Sequence, residues 1–157
     1  MAAGTFTFYD QTARTIMGGD LDSATIKLAL VTSSYTPNQD TDKLWGDAGI
    51  SSNQISSTST GYTADGFTLT ATALSSNEVT KGYKFSSDNA VWTAGASNLP
   101  VWRYAVMYVS ATWNGQVNPL IGYFLGDSTP ADVPVTTSGN QLTIQCPAAG
   151  WFDVTRP

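Results

Sequence analysis

The sequence predicts an all-β protein, a sandwich or barrel with one short helix near its N-terminus, and three observations lead there. Apolar residues alternate with Thr, Ser or Lys over short runs, the period of a half-buried strand. Gly, Pro, Asn and Asp interrupt those runs at close intervals, as turn residues do. Helical periodicity is confined to one short segment, and no heptads, fixed-period repeat or Pro-rich linker is present. At 157 residues the chain has the usual size of one domain that buries a core without disulfide or metal staples, so a single β domain over 1–157 is expected.

The elements follow in chain order. "TFTFYD" (5–10) is aromatic and close to the terminus, so Phe6, Phe8 and Tyr9 need either their own core or a partner's surface. "QTARTIM" (11–17) reads as a helix of about two turns, with Asp10 as its cap and Gly18-Gly19 as a left-handed stop. In "TIKLALV" (25–31), Ile26, Leu28 and Leu30 share one face, with Thr25, Lys27 and Ala29 opposite. "SYTPNQDTDKLW" (34–45) is then a long structured loop, and loops of this length on rigid sheets usually carry contacts. A helical turn around Leu44, Trp45 and Ala48 is expected before Gly49.

"SSNQISSTSTG" (51–61) has too little apolar content for core and reads as a surface loop or exposed edge strand. "GFTLTATAL" (66–74) places Phe67, Leu69 and Ala71 on one face, and "VTKGYKF" (79–85) and "NAVWTA" (89–94) are further strands. "VWRYAVMYVS" (101–110) has large residues on both faces, which suits a central strand covered on both sides. Arg103 within it needs a carboxylate partner or a route to solvent. "PLIGYFL" (119–125), "VPVTT" (133–137) and "NQLTIQC" (140–146) complete the strands. In the last, Leu142, Ile144 and Cys146 alternate on one face, so the lone cysteine is expected to be a buried apolar thiol.

Composition narrows the chemistry. The chain has no histidine and a single glutamate, Glu78, which removes Ser-His-Asp, Cys-His and His-zinc arrangements. A net charge of −5 repels nucleic acid and anionic membrane surfaces, and Lys81 and Lys84 are the closest approach to a basic cluster. No stretch nears the ~20 apolar residues that span a bilayer. "MAAGTFTFYD" lacks a basic region followed by an apolar run, so neither signal nor transit peptide is predicted, and Asn-X-Ser/Thr acceptors are absent.

Asp40, Asp42 and Asp47 form the sharpest acidic cluster. Alternating carboxylates suit calcium, but bulky Leu44 and Trp45 stand where such a loop would place more oxygen donors, so turn chemistry is the preferred reading and no metal is assigned. A glycan hydrolase using Glu78 and an aspartate remains a third alternative, although no spacing brings them together. No glycine run follows a strand into a helix as a phosphate cradle must. Trp92, Trp102 and Trp113 lie in or beside strands, where core or subunit-interface packing competes with a sugar-stacking role.

Several stretches taken in order, "GGDLDSATIKLALVTSSYTPNQDTDKLWGD", "GYTADGFTL", "VWTA", "RYAVMYV" and "NPLIGYFLGD", resemble small virion structural proteins of tailed bacteriophages. The resemblance runs from about Phe8 to Gly126; "PADVPVTTSGN" and "WFDVTRP" carry none of it. It implies a non-enzymatic, β-rich capsid decoration (cement) protein without cofactor, made in the bacterial cytoplasm and placed on the capsid surface. Its partners would be the major capsid protein and possibly copies of itself, with no nucleic acid and no membrane. A carbohydrate- or receptor-binding module on a tail or head fibre is the alternative. Phe6, Phe8, Tyr9 and the loop residue Trp45 are the candidate contact residues.

Overall fold

A computed structural model describes residues 5–77, 82–127, 129 and 131–155. Glu78 and the first part of the expected strand 79–85 lie outside the described residues. The chain is all-β, with 38% strand and 10% helix, far below the roughly one-third helix of ordinary domains. Its strands are β1 (Thr7–Phe8), β2 (Ile26–Val31), β3 (Phe67–Thr68), β4 (Ala73–Asn77), β5 (Gly82–Ser86), β6 (Ala90–Thr93), β7 (Tyr104–Val109), β8 (Thr112–Trp113), β9 (Gln116–Val117), β10 (Leu120–Leu125), β11 (Gln141–Ile144) and β12 (Phe152–Thr155). Between β1 and β2 lies α1 (Thr12–Met17).

The largest sheet has the order β1-β10-β7-β2-β3, all neighbours antiparallel; β12-β5-β4 and β11-β6 form two smaller sheets, and β8-β9 a hairpin. The large sheet ends at β1 and β3, so it does not close into a barrel. Period-two alternation sends Ile26, Leu28 and Leu30 of β2 and Ala105, Met107 and Val109 of β7 into the larger core. There they meet Phe85, Trp92, Ile144 and Phe152 of the two smaller sheets. The opposite face of β2 is not the polar one the alternation suggests. Ala29 and Val31 are fully buried there with Val106 and Tyr108, beneath Tyr35, Trp45 and Ile50 from the loop after β2.

In β10 a register irregularity between Leu120 and Gly122 re-phases the strand. Leu120 therefore faces the smaller core while both Ile121 and Phe124 face the larger one. Arg103 finds its carboxylate, Asp132, at 2.8 Å.

Several local expectations are corrected. Asp10 does not cap α1: Gln11 holds the cap position without a side-chain bond, and the Asp10 N–H instead donates to the Gln39 carbonyl at 2.9 Å. The helix is tied down by threonines, Thr12 donating to the Ile121 carbonyl and Thr15 to the Leu120 carbonyl. Gly18 is right-handed, with φ −75°, so it is no left-handed stop. It is small because the Trp113 indole lies over it: a Cβ there would sit 2.8 Å from Nε1, which donates to the Thr15 carbonyl.

The expected strand 66–74 is broken, because Ala71 turns at φ +50° as the chain leaves β3 for β4 in another sheet. Segment 133–137 makes only isolated bridges, Val133 to Trp102 and Thr136 to Leu99, with Pro134 offering no N–H between them. The turn expected around Leu44 and Trp45 comes slightly later, as a 3-10 turn at Asp47–Gly49 followed by another at Ser51–Asn53. Within the polar stretch 51–61, Ile55 is buried in the larger core. Cys146 is only half-buried, past the end of β11, with burial raising its thiol pKa.

Gly66 carries the most demanding turn of the large sheet: φ is +94°, and a Cβ would lie 2.5 Å from the Leu28 carbonyl oxygen. Gly66→Ala is expected to lower unfolding stability by about 2 kcal/mol or more. Gly115→Ala, at φ +74° with open space around it, should cost about 1 kcal/mol. Urea titration of the two variants checks the order; equal losses would contradict the close backbone approach at Gly66.

Candidate functional site

The acidic loop resolves into anchors for its own backbone. Asp42 is buried, and its Oδ2 accepts from the Tyr35 hydroxyl at 2.7 Å and the Asn38 N–H at 2.8 Å. The Tyr35 oxygen in turn lies 2.8 Å from the Tyr9 hydroxyl, also buried, so a chain of three side chains joins the N-terminal segment to the loop. Burial, above all, raises the Tyr9 and Tyr35 pKa values well above the ordinary tyrosine range, with the nearby Asp42 charge acting in the same direction.

Asp47 Oδ2 accepts the N–H groups of Leu44 and Lys43 at 2.9 and 3.2 Å, closing the turn that contains Trp45. Asp40 is exposed, and its N–H is held by Asn38 Oδ1 at 3.1 Å. The three carboxylates do different local tasks and do not converge. Among the described residues no group of His, Cys, Asp or Glu side chains could hold a metal ion.

Trp45 is also interior. It stacks on Tyr108 with centroids 4.7 Å apart and planes 2° from parallel, and its indole N–H donates to Asp65 Oδ1 at 3.2 Å. Asp65 takes part through its backbone as well, its carbonyl accepting the Tyr108 hydroxyl at 2.7 Å. Of the four candidate contact residues, Tyr9 and Trp45 are 2% and 4% exposed, so neither ring is offered to a partner in this fold. The physical reason is the second face of the large sheet, whose apolar residues need a cover.

Phe6 and Phe8 behave differently. Both are half-buried and lie against Phe152, each with centroids 5.2 Å away, at the corner where edge strand β1 meets edge strand β12. A groove of about 550 Å³ opens beside Phe8, walled by Ala13, Ile16 and Met17 of α1 and by Val154 of β12. Met17 is 85% exposed and Val154 49%, unusual for apolar side chains that share one hollow. A second hollow of about 320 Å³ shares Phe8 as a wall and is lined also by Trp151 and Phe152. Sequence reasoning singled out Phe6 and Phe8 but missed Met17 and Val154, which are 137 positions apart and meet only through the fold.

Trp92 and Trp102 are buried in the larger core and Trp113 packs against it, so none forms an exposed stacking platform. Tyr83 is the exposed ring, at 62%, but it lines neither hollow. Among the described residues no helix is long and apolar enough to cross a membrane. No protein-family model, no curated protein and no solved structure matches the chain.

Three outcomes follow from the loop anchors. Tyr35→Phe deprives the buried Asp42 and Tyr9 of a partner and should cost about 1–3 kcal/mol by urea unfolding. Calcium should leave the melting temperature unchanged, since no ligand set converges among the described residues to bind it. The raised tyrosine pKa values set the alkaline behaviour: the unfolded state loses these protons first, near pH ~10, so stability holds below that pH and falls as pH rises beyond it. Phenolate absorbance followed against circular dichroism should show these tyrosines ionising together with unfolding; ionisation in the intact fold would contradict their burial.

Proposed function

We propose that this chain is a bacteriophage virion structural protein that decorates the outside of a capsid shell and stabilises it, binding the major capsid protein through the corner formed by α1, β1 and β12. The observation that carries the reading is the groove itself: exposed apolar side chains gathered beside the edge of the largest sheet. Monomeric proteins rarely leave such a patch beside a sheet edge, whereas an assembly component has a neighbour to cover it.

Two further points support it. The chain resembles tailed-phage virion proteins through the scaffold segments β2, β7 and β10, and these build a rigid support for the corner. Three of the aspartates are engaged in the protein's own structure: Asp42 and Asp47 hold the loop, and Asp132 pairs with Arg103. On this reading the protein is not an enzyme and needs no cofactor. On a shell every contact is repeated across many copies, so a modest groove suffices to resist expansion or heat.

The test is to incubate undecorated shells with the wild-type protein and with Met17→Lys, whose site is so exposed that the fold should tolerate it. Wild type should bind in saturable fashion and raise the shell's disruption temperature. Met17→Lys should weaken binding about tenfold or more, as for a residue near an interface centre. Wild type that ignores shells but binds tail fibres or host polysaccharide would overturn the decoration role in favour of a fibre or receptor-binding module.

A further inference from the structure

The corner offers a backbone edge as well as apolar side chains. The Tyr9 N–H points at β10, donating to the Ile121 carbonyl at 3.4 Å, and Phe8 stands opposite Gly122 in the same antiparallel pair. Backbone groups alternate sides along an antiparallel strand, so the N–H and carbonyl of Phe8 point outward. A side chain already meets that carbonyl: Gln39 Nε2 donates to it at 2.7 Å, while the Gln39 carbonyl takes the Asp10 N–H at 2.9 Å. Gln39 is exposed and lines the groove, so its amide occupies the position a neighbouring strand's N–H would take without covering the apolar wall.

The electrostatics select the neighbour. Among the described residues, Asp10 is the charged residue lining the groove and Asp153 the one lining the adjoining hollow, and neither hollow is lined by lysine or arginine. A second copy of the chain would bring a like net charge of −5, whereas a basic segment complements both the site and the whole molecule.

Building on the reading of this corner as the partner surface, we propose that it receives an extended segment of a different protein, apolar on one face and bearing lysine or arginine. Its backbone adds to the outer edge of β1 in place of the Gln39 amide. An apolar side chain of the segment settles between Met17 and Val154, and a cation reaches Asp10. In strand addition of this kind the main-chain bonds supply affinity and the side-chain pockets supply selectivity.

The test titrates the full chain with a dye-labelled short synthetic peptide of alternating valine and lysine, read by fluorescence anisotropy. Parallel titrations use a glutamate-for-lysine version and one whose backbone N–H groups are methylated. The lysine peptide should bind; both altered peptides should bind at least about tenfold more weakly, and raising salt should weaken the lysine peptide further. Met17→Lys should weaken binding about tenfold, Asp10→Asn a few-fold, and Gln39→Ala should tighten it, because the stand-in amide is gone. Absence of binding by the lysine peptide, equal binding of the methylated peptide, or indifference to Met17→Lys would overturn strand addition. Wild-type self-association in sedimentation that Met17→Lys abolishes would name a second copy as the occupant and overturn the basic segment. Shell capture without a peptide response removes this inference and leaves the decoration role; a peptide response without shell capture does the reverse.

Discussion

Burial of the large sheet on both faces is the constraint on which the rest of this structure depends. In β7 every residue from Ala105 to Val109 is buried, and β2 is buried at Ile26 and from Leu28 to Val31. A sheet with one wet face needs a single cover; this one needs two. The smaller sheets supply the first. Among the described residues no third strand layer covers the other face, and the loop between β2 and β3 covers it instead. Trp45 lies flat on Tyr108, and Ile50 and Tyr35 fill beside it.

Covering a sheet with irregular chain buries backbone polar groups that have no ladder to join, and such groups are costly unless paired. The carboxylates of Asp42 and Asp47 meet that need, collecting N–H groups within the loop, and the Tyr35 and Tyr9 hydroxyls tie the loop to the N-terminal segment. Trp45 N–H to the Asn118 carbonyl and Leu120 N–H to the Lys43 carbonyl, each 2.9 Å, then fasten the loop's end to the start of β10. A stretch with the composition of a metal or contact loop is consequently a structural layer. Exposed apolar side chains gather instead at the corner of α1, β1 and β12, around the groove beside Phe8.

The sequence was legible where local pattern and tertiary environment agree. β2, β7 and β10 read directly from alternation or continuous apolarity, and the need of Arg103 for a carboxylate was readable from its place in a buried strand, though Asp132 was not. Legibility failed where long-range contact overrode local pattern. Ala71 sits in an alternating run but turns through a positive φ because β3 and β4 belong to different sheets. Gly18 ends the helix as expected, but in a right-handed conformation, and its lack of a side chain makes room for Trp113. Tyr9 could be read as core or as a partner contact and Trp45 as part of a contact loop, and nothing local reveals that the second face of β2 and β7 requires them. The groove could not be read at all, since its walls come from the two ends of the chain.

Native-state hydrogen exchange tests most directly whether the loop is a layer of the fold. The amides of Trp45 and Ile50, bonded to the carbonyls of Asn118 and Asp47, are the reporters, with the β7 amides from Ala105 to Val109 as reference. If the loop covers an otherwise wet core, its amides open only with the sheet and exchange with a free energy close to that of β7. Loop amides that exchange through local opening, several kcal/mol below the β7 amides, would contradict the account and return residues 34–45 to the role of a free contact loop.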